Sequence, residues 1–436
     1  MCGIAGIARI AGDRLIERRE TEAMIQALRH RGPDGFGYYN DDHVGLAHAR
    51  LSIIDLSTGD QPIHNEDKTV WTVFNGEIFN YIELRKDLEL LGHRFYTTSD
   101  TEVIVHLYEQ YGDRFVDHLN GQFAIALWDL RKRRLVLARD RTGMRPLFYA
   151  VHGGRLIFAS EMKSIFQLPE VPRRLDPRAL AEIFTYWAPL ADRTAFQGIQ
   201  ALPPGCLMVL HEGKIDRRRY WDWQFPDGHI EATRSVDEYA EELRSRLIES
   251  VRLQLRADVP VGAYLSGGLD SSIITSVIRN FTNVPLRTFS ITFEDAEFDE
   301  SGHQQELVDY LGTNHTSVRC TSQQIGAAFP RAIWHAETPV VRTAPTPMML
   351  LSGAVRENGF KVVLTGEGAD EVFGGYDLFK EARIRRFMAR APQSRWRGRI
   401  LERLYPYLQH SPASNTAFAQ RFFNDGIEHL REPWFA

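Results

Sequence analysis

A β-rich amino-terminal domain joined to an α/β carboxy-terminal domain is the fold class that the 436-residue sequence predicts. Short apolar or alternating runs bounded by turn residues fill the first half, and after about residue 235 strand-like and helix-like segments alternate. A chain of this length exceeds what one hydrophobic core usually supports, so two domains are expected.

The strand-like runs of the first part are Ile4 to Ile10, Thr69 to Phe74, Phe123 to Asp129, Leu135 to Ala138 and Leu156 to Ala159. Asn75-Gly76 and Gly153-Gly154 read as turns bounding two of them. Helices are predicted from Tyr81 to Leu91 and from Thr101 to Tyr111, each stopped by a glycine. Between Pro203 and Thr233 the texture changes, through Pro203-Pro204-Gly205, the basic run Arg217 to Arg219 and the aromatic cluster Tyr220 to Trp223. The expected boundaries are a first domain over 1–215, a linker over 216–234 and a second domain over 235–436. Ser235 and Glu238 form a capping box for a helix carrying Ala240, Leu243, Leu247, Val251 and Leu255 at helical spacing. Then follow a strand at Val259 to Leu265, a helix from Ser271, a strand at Arg287 to Phe293, a helix near Gln304 to Leu311 and a strand at Lys361 to Thr365. Their alternation argues for a parallel sheet. The tail reads as helices around Leu378 to Ala389 and Trp396 to Leu408.

Composition narrows the function. A net charge of −5 gives no reason to expect nucleic acid, and no apolar run approaches the ~20 residues of a membrane span. Cys2, Cys206 and Cys320 are too few and too scattered for a disulfide framework or a zinc site. A reducing, cytosolic compartment is expected.

Three clusters carry chemistry. In 265-LSGGLDSS-272, two glycines between a strand and a helix let the backbone approach a ligand, and amides at the helix start point at an anion. Asp270 beside a phosphate implies a bridging cation, most simply Mg²⁺. In 365-TGEGADEVFGGY-376, Glu367, Asp370 and Glu371 are spaced so that one helical turn would align them, after a strand where α/β sheets place their sites. Finally, once Met1 is removed, Cys2 would combine a thiol with a free α-amine, nucleophile and base in one residue. Asn75 and the Gly76 amide could hold an oxyanion. Arg50 could take a substrate α-carboxylate, and Asp100 with Glu77 an α-ammonium, which together point at glutamine.

MCGIAG, 30-HRGPDG-35, 48-HARLSIIDL-56, 75-NGE-77, 98-TSDTE-102, 140-DRTGMRPLFY-149 and 158-FASEMKS-164 resemble the glutaminase domain of class II amidotransferases. Joined to the two later motifs, they make the chain similar to glutamine-hydrolysing asparagine synthetases, from Met1 to about Tyr376. In class terms the resemblance implies α/β plus α+β: an N-terminal-nucleophile αββα sandwich followed by a Rossmann-like parallel α/β nucleotide domain. It implies MgATP-dependent adenylation of the aspartate β-carboxylate, with ammonia delivered from glutamine through a tunnel, and a family habit of dimerising through the glutaminase domain. Residue by residue, it makes Cys2 the nucleophile, Asn75 and Gly76 the oxyanion hole, and Arg50, Leu51, Ser52, Ile53, Ile54, Glu77 and Asp100 glutamine contacts. Tyr264, Leu265, Ser266, Gly267, Gly268, Leu269, Asp270, Ser271, Ile291, Thr365 and Gly366 match nucleotide contacts. Asp270 and Asp370 match Mg²⁺ partners, and Glu367 the acidic residue of the adenylation step. Tyr264 and Thr365 stand where a leucine-like residue and a serine are usual. Family members continue well past the acidic loop and supply a lysine there. This chain has no lysine after Lys380, so its second domain is expected to be incomplete, with Arg383, Arg385 or Arg386 as substitute charges. The acceptor pocket is open, Arg342 being one candidate carboxylate clamp. Another carboxylate acceptor, or a truncated regulatory form, are the alternatives.

Overall fold

The computed structural model describes residues 1–225, 233–294, 300–394, 396–404, 421, 423 and 427. They fall into two compact units, Met1–Gly267 with Ile274–Leu364, and Gly268–Ile273 with Thr365–Ala436.

The first unit contains two six-stranded antiparallel sheets. One runs, in spatial order, through Ile199–Ala201, Phe148–His152, Arg155–Ala159, Gly3–Arg9, Val44–Arg50 and Gly35–Asn40. The other runs through Lys214–Arg219, Cys206–His211, Arg134–Arg139, Gly121–Asp129, Val70–Ile78 and Ile63–His64. Between them Ile4, Val44, Leu46 and Phe158 of the first sheet pack on Val73, Ala126, Trp128, Leu137 and Met208 of the second. Outside the first sheet lie Met24 and Ile25 of helix Arg18–Gln26 with Met162 and Ile165 of helix Met162–Ile165. Outside the second lie Leu84 and Leu88 of helix Tyr81–Leu90 and Val103, Ile104 and Leu107 of helix Glu102–Tyr111. Helix, sheet, sheet, helix is therefore the layering, and each layer boundary is a buried apolar cluster of the kind that drives folding.

The same unit holds a four-stranded parallel sheet, ordered Asn314–Cys320, Arg287–Phe293, Val261–Tyr264, Val362–Leu364. Val251 and Leu255, at and just beyond the end of the helix Val236–Gln254, pack on Val261, Ala263 and Leu364 beside it. The capping box stands as expected, with the Glu238 N–H donating to Ser235 Oγ at 3.2 Å and the Ser235 N–H to Glu238 Oε2 at 2.8 Å. In the second unit Met388, Leu401, Leu404, Phe423 and Ile427 form a small buried cluster.

Four expectations change in detail. Asn75-Gly76 is not a turn: both residues lie inside the strand Val70–Ile78, paired with Ala124 and Phe123. Glycine is required at 76 by space, since a Cβ there would come within 2.0 Å of the Gln122 carbonyl oxygen. The basic run Arg217 to Arg219 belongs to the edge strand Lys214–Arg219, which crosses residue 215 where the linker was expected to follow. Glu367 does not share a helical face with Asp370 and Glu371. The helix is only Ala369–Phe373, and Gly368, at φ 92°, turns the chain between them. Near Trp396 the chain forms a 3₁₀ segment, Arg397–Arg403, and 405–408 of the expected helix lie outside the described residues. By contrast Gly153 and Gly154 do make the expected turn, with φ of 57° and 73° between paired strands.

Candidate active site

Cys2 precedes the strand Gly3–Arg9, the fourth of six in its sheet, and everything around it serves to hold that end of the chain. Ile4 donates its N–H to Ser160 Oγ at 3.0 Å, and the Cys2 carbonyl accepts from Arg31 Nε at 2.9 Å. Arg31 is held in turn by Glu161 at 2.9 Å, which also takes Lys163 at 2.7 Å and His30 at 2.9 Å. The HRG and ASE motifs are thus one clamp on the amino terminus.

The Cys2 thiol lies 3.3 Å from the Leu51 N–H and 3.6 Å from the Leu51 carbonyl. It opens on a pocket lined by Met1, Arg50, Leu51, Ile53, Ile54, Asn75, Gly76, Glu77, Asp100 and Arg145. Of the residues expected around glutamine, only Ser52 is not among the lining; its N–H goes to Asp34 Oδ2 at 2.9 Å and its carbonyl to Lys361 at 3.1 Å. Asn75 is 1% exposed, yet neither atom of its amide has a hydrogen-bond partner among the described residues. Phe123, which faces Gly76, exchanges its N–H and carbonyl with Asp140 instead. Gly76 therefore sits in a pair not bonded across the ladder, with its amide turned out of it.

Burial sets the charges. It is the largest influence on the Cys2 thiol and pushes its pKa up, the Leu51 N–H and the nearby amine working against it. It lowers the Met1 α-ammonium to about 5. It raises Asp100 to about 7, against the Ile78 N–H that donates to its carboxylate at 2.9 Å and with help from Glu77. Glu77 is raised for the same reason, Arg145 opposing. The pocket therefore disfavours a thiolate, an ammonium and two carboxylates when none is paired.

Arg145 was missed as a pocket residue, although it stands in the DRTGMRPLFY motif. Its guanidinium contacts Met1 Sδ, and nothing in its spacing from other motifs marked it. Gln61, Ser99 and Thr101 also line the pocket and were not assigned.

The nucleotide motifs divide between the units. In the first, Leu265 donates its N–H to the Phe289 carbonyl at 2.9 Å. Gln304 Nε2 bridges the carbonyls of Ser266 and Ile291 at 3.2 and 3.0 Å. Tyr264 and Ile291 each pack against the Phe289 cluster, and the Arg342 guanidinium lies 3.9 Å from the centre of the Trp187 ring. In the second unit, Ser271 and Ser272 hydroxyls both close on the Gly268 carbonyl, at 3.1 and 2.7 Å, and Leu269 is exposed. The Thr365-Gly366 turn packs on Asp270 so tightly that a Cβ on Gly366 would lie 2.8 Å from Asp270 Cβ and Ser271 N. Thr365 Oγ1 accepts from the Glu367 N–H at 3.3 Å, and the Asp370 carbonyl from Gly375 at 3.0 Å.

Residues 1–221 match the glutamine amidotransferase domain model, and the chain belongs to that family. Residues 242–432 match the asparagine synthase model. The chain is 36% identical to a Bacillus subtilis protein named asparagine synthetase [glutamine-hydrolyzing] 1, over 87% of this chain and 60% of that one. It is 37% identical to a rice asparagine synthetase [glutamine-hydrolyzing] 2, over 88% and 61%. It is 36% identical to a Penicillium rubens protein named amidase chyE, over 83% and 55%. The chain spans about 60% of the length of such relatives. No helix among the described residues is long and apolar enough to cross a membrane.

Proposed function

We propose that the chain hydrolyses glutamine at Cys2 and, as a whole protein, uses the ammonia to convert aspartate to asparagine with MgATP. The observation that carries the reading is that Cys2, Asn75, Gly76, Arg50, Glu77 and Asp100 line one pocket. Glutamine would set its α-carboxylate on Arg50 and its α-ammonium between Glu77 and Asp100, which ionise as the ammonium arrives. Its carboxamide would then lie at the thiol. With Met1 removed, the Cys2 α-amine would enter the same buried surroundings that hold the Met1 amine neutral. A thiol pushed up and an amine pushed down keep the resting pair neutral, S–H beside an unprotonated amine, so the amine is free to take the thiol proton as sulfur attacks the amide carbon. Asn75 Nδ2 and the Gly76 N–H would donate to the oxyanion. The resulting ammonium then gives that proton to the amide nitrogen, which departs as ammonia as the C–N bond breaks, and water releases glutamate from the thioester.

In the synthetase half, hydroxyls and amides of 266–271 would cradle the pyrophosphate of ATP, with Tyr264, Leu265, Ile291, Thr365 and Gly366 around the nucleotide. Mg²⁺ suits the carboxylates of Asp270 and Asp370, hard oxygen donors, and the close seat of Gly366 against Asp270 brings the acidic loop to that aspartate. When bound it neutralises phosphate charge. Glu367 would serve the β-aspartyl-AMP step. A reducing, cytosolic setting fits the three free cysteines.

The test is Cys2→Ala. Glutaminase activity should disappear while ammonia still supports AMP and asparagine formation; retained glutaminase activity would refute the assignment. A second acceptor in place of aspartate is favoured by the relatives named amidase. An acceptor screen that follows AMP release decides it.

A further inference from the structure

We propose that the glutaminase domain carries a divalent transition-metal site, suited best to Zn²⁺, built from Glu66, His93, His106 and Glu109. One ligand atom from each lies within 4.8 Å of all the others. His106 Nδ1 is 3.2 Å from Glu109 Oε2 and 3.7 Å from Glu66 Oε2, and His93 Nδ1 is 3.7 Å from Glu109 Oε2. Three separate stretches of chain supply them: the segment after strand Ile63–His64, the segment after helix Tyr81–Leu90, and one face of helix Glu102–Tyr111.

Proximity alone would describe an ordinary ion-pair cluster. What separates this one is that each of the four side chains is fixed at its far atom by a partner outside the cluster. His106 Nε2 faces Glu102 Oε1 at 3.4 Å, and Glu102 is itself fully buried, accepting from the Tyr96 and Thr97 amides at 2.9 and 2.7 Å. His93 Nε2 faces Gln110 Oε1 at 3.4 Å. Glu66 Oε1 accepts from the Arg94 N–H at 2.8 Å, and Glu109 Oε1 from Asn65 Nδ2 at 2.6 Å. With both Nε2 atoms as donors outward, both Nδ1 atoms and both Oε2 atoms are left converging. Outer partners that orient the ligands are what a metal centre needs. Two imidazoles and two carboxylates suit zinc at about 2.0–2.2 Å, so the ligands would draw together modestly on binding. The scarcity of cysteine argues only against a thiolate site; here the donors are nitrogen and oxygen.

The competing occupant is a proton. Burial opposes a charge on His106, but hydrogen bonds to Glu102 and Glu109 and the field of Glu66 prevail and raise its pKa to about 9. A metal must displace that proton. The gain would fall on the segment leading into helix Glu102–Tyr111, which supplies Ser99, Asp100 and Thr101 to the glutamine pocket.

The test is titration of the full-length, metal-stripped chain with Co²⁺ and Zn²⁺, with metal content measured after gel filtration. One equivalent should bind, with the intense absorption of tetrahedral Co²⁺ that Zn²⁺ abolishes. His93→Ala, at a half-buried position, should remove the spectrum and the retained metal while circular dichroism stays unchanged. Gln110→Ala, which frees only the outer atom of His93, should weaken binding about 10-fold or more. Glu89→Gln, on a neighbouring helix surface, should change nothing. Failure to bind one equivalent overturns the proposal in favour of a protonated His106 cluster, and uptake that survives His93→Ala overturns it as adventitious. Either result leaves the Cys2 assignment standing.

Discussion

Asp100 shows how one side chain ties charge, fold and substrate together. Buried beside Glu77, its pKa is raised from 3.8 to about 7. Between those values the folded state binds a proton that the unfolded chain does not, so stability on this account is greatest at low pH and is lost as pH rises through 7. A substrate ammonium needs the opposite form. Glutamine affinity should therefore weaken as pH falls below about 7, visible as a rising KM at roughly constant kcat. Asp100→Asn should flatten that dependence, raise KM, and raise the melting temperature at pH 8 relative to the parent. A KM profile identical in parent and variant would show that another group controls binding. Arg145 behaves differently. Its half-buried side chain lines the same pocket as Glu77, and desolvation there lowers its pKa. Removing it in Arg145→Ala should leave Glu77 without its opposing charge, and glutaminase activity should fall.

Strand Val70–Ile78 carries the proposed oxyanion donors, Asn75 and Gly76, in its second half, and its neighbour Gly121–Asp129 comes so close at Gly76 that no side chain fits. Gly76→Ala should cost about 1–3 kcal/mol or more in urea unfolding, because the intruding methyl meets backbone and not a movable side chain. It should also abolish glutaminase activity. Here lies the limit of sequence reading. Asn-Gly is a strong turn signal when only neighbours in sequence are considered, whereas the strand is fixed by pairing with Ala124 and Phe123, far along the chain. Strands Gly3–Arg9, Gly121–Asp129 and Arg287–Phe293 were legible from their apolar runs. The edge strand Lys214–Arg219 was not, because every residue is exposed and its charges carry no inward face. Cys2, Arg50, Asn75 and Asp100 could be assembled from motif chemistry, but Arg145 and the Glu66 to Glu109 cluster come together only through folding.

Across the first unit, the loop that lines the Cys2 pocket is bonded to the chain leading into the parallel sheet. Asp258 accepts the Asp55 N–H at 2.7 Å and donates its own N–H to the Ile53 carbonyl at 2.9 Å. Arg256 grips Glu83 through two 2.6 Å bonds and the Phe79 carbonyl at 2.6 Å, and Lys361 holds Asp34 at 2.7 Å. Three residues after Asp258 the strand Val261–Tyr264 begins, and it runs into the nucleotide motif. If nucleotide binding quickens glutamine hydrolysis, Asp258→Ala should reduce that stimulation roughly two- to thirtyfold while sparing basal hydrolysis, as rates with and without ATP and aspartate would show.

Met1 lies in the pocket itself, its sulfur against Arg145 and within 3.9 Å of Arg31. For anyone producing this protein, that position settles where an affinity handle belongs. Residues fused ahead of Cys2 would thread through the pocket that Met1 and Cys2 line and acylate the amine proposed as the base. Purification through the opposite end, or behind a protease that leaves cysteine leading, is what preserves the enzyme for assay.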